Sequence, residues 1–241
     1  QRPPLRAKLG QVLIDMQRYA AARQEAETLA SEAARLSDDA RATALAEAAR
    51  LAALAAYGRA MLGGRDDRTP GEPSLVERFQ KALQQKPSDV AMATILARVY
   101  RQQTHLLDEE QRADEPAELA ALADQIIDRM VARNPEGVDA LLARAGYRAA
   151  YDIAGAEDDL HEAFRREPAN LQVRLAAADF YRREALGAQR RGALGQATER
   201  WEDACGEYQR VIDDAAAEKE RRSMAFLQEE LAAYYGLARS L

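Results

Sequence analysis

Apolar and small residues recur along this chain at one fixed spacing, and each set ends in a proline. Leu75, Phe79 and Ala82 precede Pro87; Ala123, Ile127 and Met130 precede Pro135; Ala156, Leu160 and Ala163 precede Pro168. Steps of four and three place each trio on one helical face, and the proline five residues on cannot continue the helix. The same periodicity predicts helices at roughly 5–16, 19–36, 39–62, 74–86, 89–106, 116–133, 137–150, 153–166, 170–190, 193–215 and 217–239. No alternating run of Val, Ile and Thr occurs, so no strands are predicted. Two connectors stand out. Residues 63–73 begin Gly63-Gly64 and end Glu72-Pro73, and residues 108–116 are an acidic insertion expected to be a solvated loop.

Between the proline-closed helices lies a second pattern. Leu96-Ala97 is followed by Tyr100, Ala177-Ala178 by Tyr181, and Leu9-Gly10 by Leu13. Taken with the proline frame, these positions resemble the tetratricopeptide repeat (TPR), whose unit of about 34 residues carries Leu-Gly and Tyr on its first helix and Ala, Phe and Pro on its second. Small residues in such a unit let two antiparallel helices approach closely, and the large ones fill the space between successive hairpins.

The resemblance implies an all-α, right-handed α-α superhelix (solenoid) of helical hairpins, one domain over residues 1–241. Its approximate repeats are 3–36, 39–87, 88–135, 137–170 and 171–215, with a terminal helix at 217–239. Residues 137–170 fit best, through Tyr147, Ala156, Leu160, Ala163 and Pro168. Residues 39–87 fit least, since their first helix is an Ala-rich run. The interval from Pro87 to Pro135 exceeds the usual period by about 14 residues. That from Tyr181 to Ala197 is longer than the pattern by about seven residues, two helical turns.

Composition fits helices: 47% of residues are hydrophobic and 31% charged, while only 6% are aromatic. Abundant alanine and arginine suggest a GC-rich bacterial genome. No catalytic constellation is present. The two histidines, His105 and His161, lie on different units, so no metal site is expected. The pairs Asp158-Asp159 and Asp213-Asp214 point about 100° apart on a helix and are expected to be solvated surface. No phosphate loop, nucleophile elbow or dinucleotide fingerprint occurs, so no cofactor and no enzymatic activity are expected. A net charge of −6 opposes nucleic-acid binding, and Arg190-Arg191 and Arg221-Arg222 lack interleaved aromatics. No apolar run reaches bilayer length and no signal peptide precedes Pro3. The compartment stays open, with the cytoplasm slightly favoured over the periplasm. Cys205, the single cysteine, reads as a small packing residue.

In the family this resembles, first helices line a concave groove whose exposed positions contact peptides or partner helices. The residue after each aligned tyrosine is an arginine: Arg101, Arg148 and Arg182, with Arg98 and Arg183 on the same stripe. Guanidinium groups suit bidentate capture of carboxylates and phosphates. The Lys and Asn clamp by which some family members hold a chaperone's C-terminal carboxylate is not present at these positions. The function expected is a non-catalytic scaffold for a protein or peptide partner with an acidic segment. Solvated arginines are the plainer account of the same pattern. An architectural or self-assembling spacer and the docking segment of a larger enzyme are the alternatives.

Gln1 in place of an initiator methionine, and an apolar pattern through Phe226, Leu227, Leu231, Tyr234, Tyr235 and Leu237 without a polar cap, suggest a piece of a longer protein. Such an end would leave an apolar patch, so self-association through the C-terminal helix is a further expectation. Phe79, Tyr100, Met130, Phe164, Phe180 and Trp201 are expected in the core.

Overall fold

A computed structural model describes residues 3–62, 73–103, 107, 116–222, 232–233 and 236–238, with the side chains of 217–222 excepted. Both connectors singled out above, except their last residues Pro73 and Pro116, together with His105 and the apolar residues Phe226, Leu227, Leu231, Tyr234 and Tyr235, lie outside this set. The described residues are helical and form no strand. They fall into two compact units, Gln1–Pro135 and Glu136–Leu241.

The first unit contains α1 (Pro3–Asp15), α2 (Tyr19–Ala33), α3 (Asp38–Met61), α4 (Leu75–Gln85), α5 (Val90–Gln102) and α6 (Pro116–Arg133). The second contains α7 (Val138–Ala150), α8 (Ala156–Arg166), α9 (Leu171–Arg190) and α10 (Leu194–Arg222). Within each unit consecutive helices pack on one another, and α3 also packs on α1 and α9 on α7.

The prolines do what their spacing implies. α4, α6 and α8 each stop two residues before Pro87, Pro135 and Pro168, because a residue preceding proline is pushed out of the helical region. Two residues after each proline stands the cap of the next helix. Asp89 accepts from the Met92 N–H at 3.0 Å, Asn170 accepts from the Gln172 N–H at 2.9 Å, and Gly137 caps α7 without a side chain. At the start of α4 a capping box forms: the Ser74 hydroxyl accepts from the Glu77 N–H at 3.1 Å, and Glu77 accepts from the Ser74 N–H at 2.6 Å. Asn134 closes α6 and links it back to the preceding turn, donating to the Met130 carbonyl at 2.9 Å and the Ser88 carbonyl at 3.1 Å.

The second-helix frame is largely core. Phe79, Ala82, Ala123, Ile127, Met130, Ala156, Leu160 and Ala163 are buried, whereas Leu75 is half-buried and its neighbour Val76 takes the inward place. The Leu-Gly position of α1 is a close approach: a Cβ on Gly10 would sit 2.6 Å from Leu51 Cδ1 of α3.

Two expectations change. The break at 215–217 does not occur, since α10 runs on to Arg222 with no glycine or proline after Gly206 to interrupt it. Phe164 and Trp201 are half-buried, Phe164 lying under the Arg174 guanidinium at 4.9 Å. The long interval after Tyr181 is helix, as its length of two further turns implies: α9 has 20 residues against 13 in α5 and in α7, and its extension buries Ala185 and Ala188.

Candidate interaction surface

Each of the three arginines that follow an aligned tyrosine reaches from a first helix to its own hairpin. Arg101 on α5 donates through Nη2 to Asp124 Oδ1 on α6 at 2.7 Å. Arg148 on α7 donates to Asp159 Oδ2 on α8 at 2.9 Å and to the Gly155 carbonyl at 3.2 Å. Arg182 on α9 donates through Nε to the Tyr208 hydroxyl on α10 at 3.3 Å, with Asp179 Oδ1 at 3.6 Å. The recurring guanidinium therefore ties the two helices of a hairpin together, a use its spacing alone does not distinguish from ligand capture.

The strongest tie centres on Asp159. Arg144 grips it with Nε to Oδ2 at 2.9 Å and Nη2 to Oδ1 at 2.6 Å, and Arg148 adds the third bond, so both oxygens are occupied. Asp159 is 4% exposed, which corrects the expectation that Asp158-Asp159 is solvated surface. The signal was in the sequence. Ala156, Asp159, Leu160 and Ala163 follow the i, i+3, i+4, i+7 rule of one buried face, and the 100° step sends Asp158 outward. The turn before α8 is shaped for this contact. Asp152 takes φ 54° and Gly155 φ 88°, and at Gly155 a Cβ would stand 2.9 Å from Arg148 Nη1.

Similar ties recur at other positions. Arg6 on α1 donates to Glu25 at 2.7 Å and to Glu32 at 3.0 Å on α2, and its hydrogen bonding to Glu32 holds that carboxyl below its ordinary pKa. Arg174 on α9 meets Glu207 at 3.4 Å and Asp214 at 3.2 Å on α10. Arg200 on α10 meets Glu157 on α8 at 3.3 Å and lies 5.2 Å from the centre of the Tyr181 ring.

Sequence reading missed Tyr208, the largest fully buried side chain described. Its hydroxyl donates to Asp179 Oδ1 at 2.5 Å, and burial, reinforced by that bond, pushes its pKa up to about 12. It continues the run Ala197, Trp201, Ala204, Tyr208, Val211, Ala215, whose alternating steps of four and three mark one helical face. The chain's last described residues cover it: Ala233 and Leu237 pack on the cluster around Tyr208, and a Cβ on Gly236 would sit 2.3 Å from its ring.

Two arginines of the predicted stripe remain outward. Arg98 is exposed on α5 in the first unit; Arg183 is exposed on α9 in the second, its Nε donating to the Asp179 carbonyl at 3.1 Å. Among the described residues, no group of three or more His, Cys, Asp or Glu is placed to hold a metal ion, and no helix is long and apolar enough to cross a membrane.

No protein-family model and no curated protein matches this sequence. Among solved structures, the chain is similar to a thermophilic TPR protein of Thermus thermophilus, at a TM-score of 0.58 and 16% identity, over 98% of this chain and 100% of that one. At this identity the likeness shows the fold alone.

Proposed function

We propose that this chain, an all-α array of TPR-like helical hairpins, is a non-catalytic scaffold for protein–protein interaction. The fold is the observation that carries the reading: helical hairpins stacked on buried small residues present long first-helix faces, suited to recognising an extended or helical segment. The partner's contacting segment is acidic, and Arg98 and Arg183 meet it, each on its own unit. Arg101 and Arg182 hold the hairpins from which those side chains project and Arg148 holds α7–α8, so a ligand reaching these three competes with Asp124, Asp159 and Tyr208.

The test is fluorescence anisotropy with a panel of acidic, neutral and basic peptides at low and high salt. Acidic peptides should be selected, and the double substitution Arg98→Glu with Arg183→Glu should weaken them roughly tenfold or more, as should high salt. Binding that ignores peptide charge, or survives both substitutions, would remove the acidic-segment reading. The internal ties of the other three arginines favour one alternative, an architectural spacer, which predicts no selection from the panel.

A further inference from the structure

The two turns by which α9 outruns α5 and α7 carry charge that the hairpin ties leave unpaired. Arg183, Arg190 and Arg191 are all exposed. Arg101, Arg144, Arg174 and Arg200 each meet a carboxylate, whereas these three form no ion pair among the described residues. Arg183 donates to the Asp179 carbonyl at 3.1 Å. Glu184, the acidic residue between them, is half-buried and stands about 100° round the helix from Arg183. Cations are favoured at a helix C-terminus, which accounts for Arg190 and Arg191 but not for Arg183, two turns earlier.

The three charges form one row. Arg183 and Arg190 are a heptad apart, so they project from one face about 10.5 Å apart along the axis. Gly187 lies between them, and Arg191 folds back over it: a Cβ there would sit 3.2 Å from Arg191 Nη1. That guanidinium takes the place of the missing side chain and completes the row. Asp179, one turn before Arg183, is engaged by the Tyr208 hydroxyl.

This face stays open beside a packed neighbour. Aligned on the caps Gly137 and Asn170, Asp179 and Arg183 correspond to Gly146 and Ala150 of α7, against which α9 packs. Ala150 is exposed, and no atom lies within 4 Å of a Cβ added at Gly146. The row therefore continues a face that an adjacent hairpin does not cover.

We propose that this row docks an acidic helix of a partner protein, lying antiparallel to α9, with carboxylates at i, i+3 and i+7 that meet Arg190, Arg191 and Arg183 in turn. The inference rests on the acidic-segment reading above and specifies the form of the segment. Guanidinium groups pair bidentately with carboxylates, and a helix repeats its side chains with the rise of α9 itself. An extended strand sets same-face residues about 6.6 Å apart and would overrun the row by its third acid. The antiparallel sense brings the partner's N-terminal end, where acidic residues are favoured, beside the C-terminal end of α9, where Arg190 and Arg191 stand.

Fluorescence anisotropy with the whole chain at low salt tests this, using Ala-rich helical peptides of about 20 residues. One carries Glu at i, i+3 and i+7, a second carries three Glu spread round the helix, and a third carries Gln in their place. The first should bind roughly fivefold tighter than the second, and Arg190→Glu with Arg191→Glu should remove that preference with the helical circular dichroism unchanged. Equal binding of the two acidic peptides, both above the Gln peptide, overturns the helical row and leaves the acidic-segment reading standing. A preference that survives the double substitution overturns the row as well. Acidic peptides that bind no better than the Gln peptide overturn both.

Discussion

The hairpins α5–α6 and α7–α8 carry the same Tyr-Arg pair on their first helices, and the arginines do different physical work. Arg101 meets Asp124, whose side chain is 42% exposed, across a hairpin whose helices are separated by residues 103–115. Arg148 meets Asp159, which is buried and shared with Arg144, across the short turn of residues 151–155. An exposed pair contributes about 0.2–1 kcal/mol because water screens it and two long side chains must be ordered. A buried carboxylate that satisfies two guanidinium groups cannot be removed so cheaply, because both cations are left facing each other with little water. Equivalent sequence positions thus acquire their role from the burial of the partner, which repeat spacing does not encode.

The largest effect should follow from breaking the buried member. Asp159→Ala is expected to destabilise the second unit by about 3 kcal/mol, read by urea unfolding of the whole chain. Next comes close helix packing: Gly10→Leu should cost about 2 kcal/mol, since Leu51 beneath it is buried and cannot swing away. Asp124→Ala in the exposed tie should cost at most about 1 kcal/mol, and a loss equal to that of Asp159→Ala would erase the distinction between the hairpins. Gly146→Ala on α7, where no atom lies within 4 Å of the new Cβ, should instead stabilise by about 0.5–1 kcal/mol.

The third hairpin of this kind, α9–α10, sharpens the comparison through pH. Its arginine meets a tyrosine hydroxyl whose pKa rises from 10.0 in the unfolded chain to about 12 when folded. Because the folded state favours the protonated phenol, this stabilisation is complete below pH 10 and is lost as pH rises towards 12. Unfolding measured across that window should show a fall in stability that is smaller in Tyr208→Phe. Equal slopes in both proteins would show that the titration lies elsewhere.

The helix grammar was legible because it is local. Prolines that stop α4, α6 and α8, the caps that follow them, and the seven additional residues of α9 relative to α5 all act within a few turns of their own sequence. Partners of the arginines were not legible, because they depend on which face of the next helix turns inward. Asp159 shows this most clearly: beside Asp158 it looks like solvated charge, and only the frame of Ala156, Leu160 and Ala163 places it inside. Tyr208 escaped because the repeat frame looks for a closing proline next to it, where this chain continues as helix to Arg222.

The most direct test of the arginines as hairpin ties is a double-mutant cycle on Arg148 and Asp159, with acidic-peptide binding measured on the same proteins. The account predicts a coupling of about 1–3 kcal/mol in stability and peptide affinity unchanged in Arg148→Ala. A coupling near zero, together with loss of acidic-peptide binding in Arg148→Ala, would contradict it and return Arg148 to the ligand.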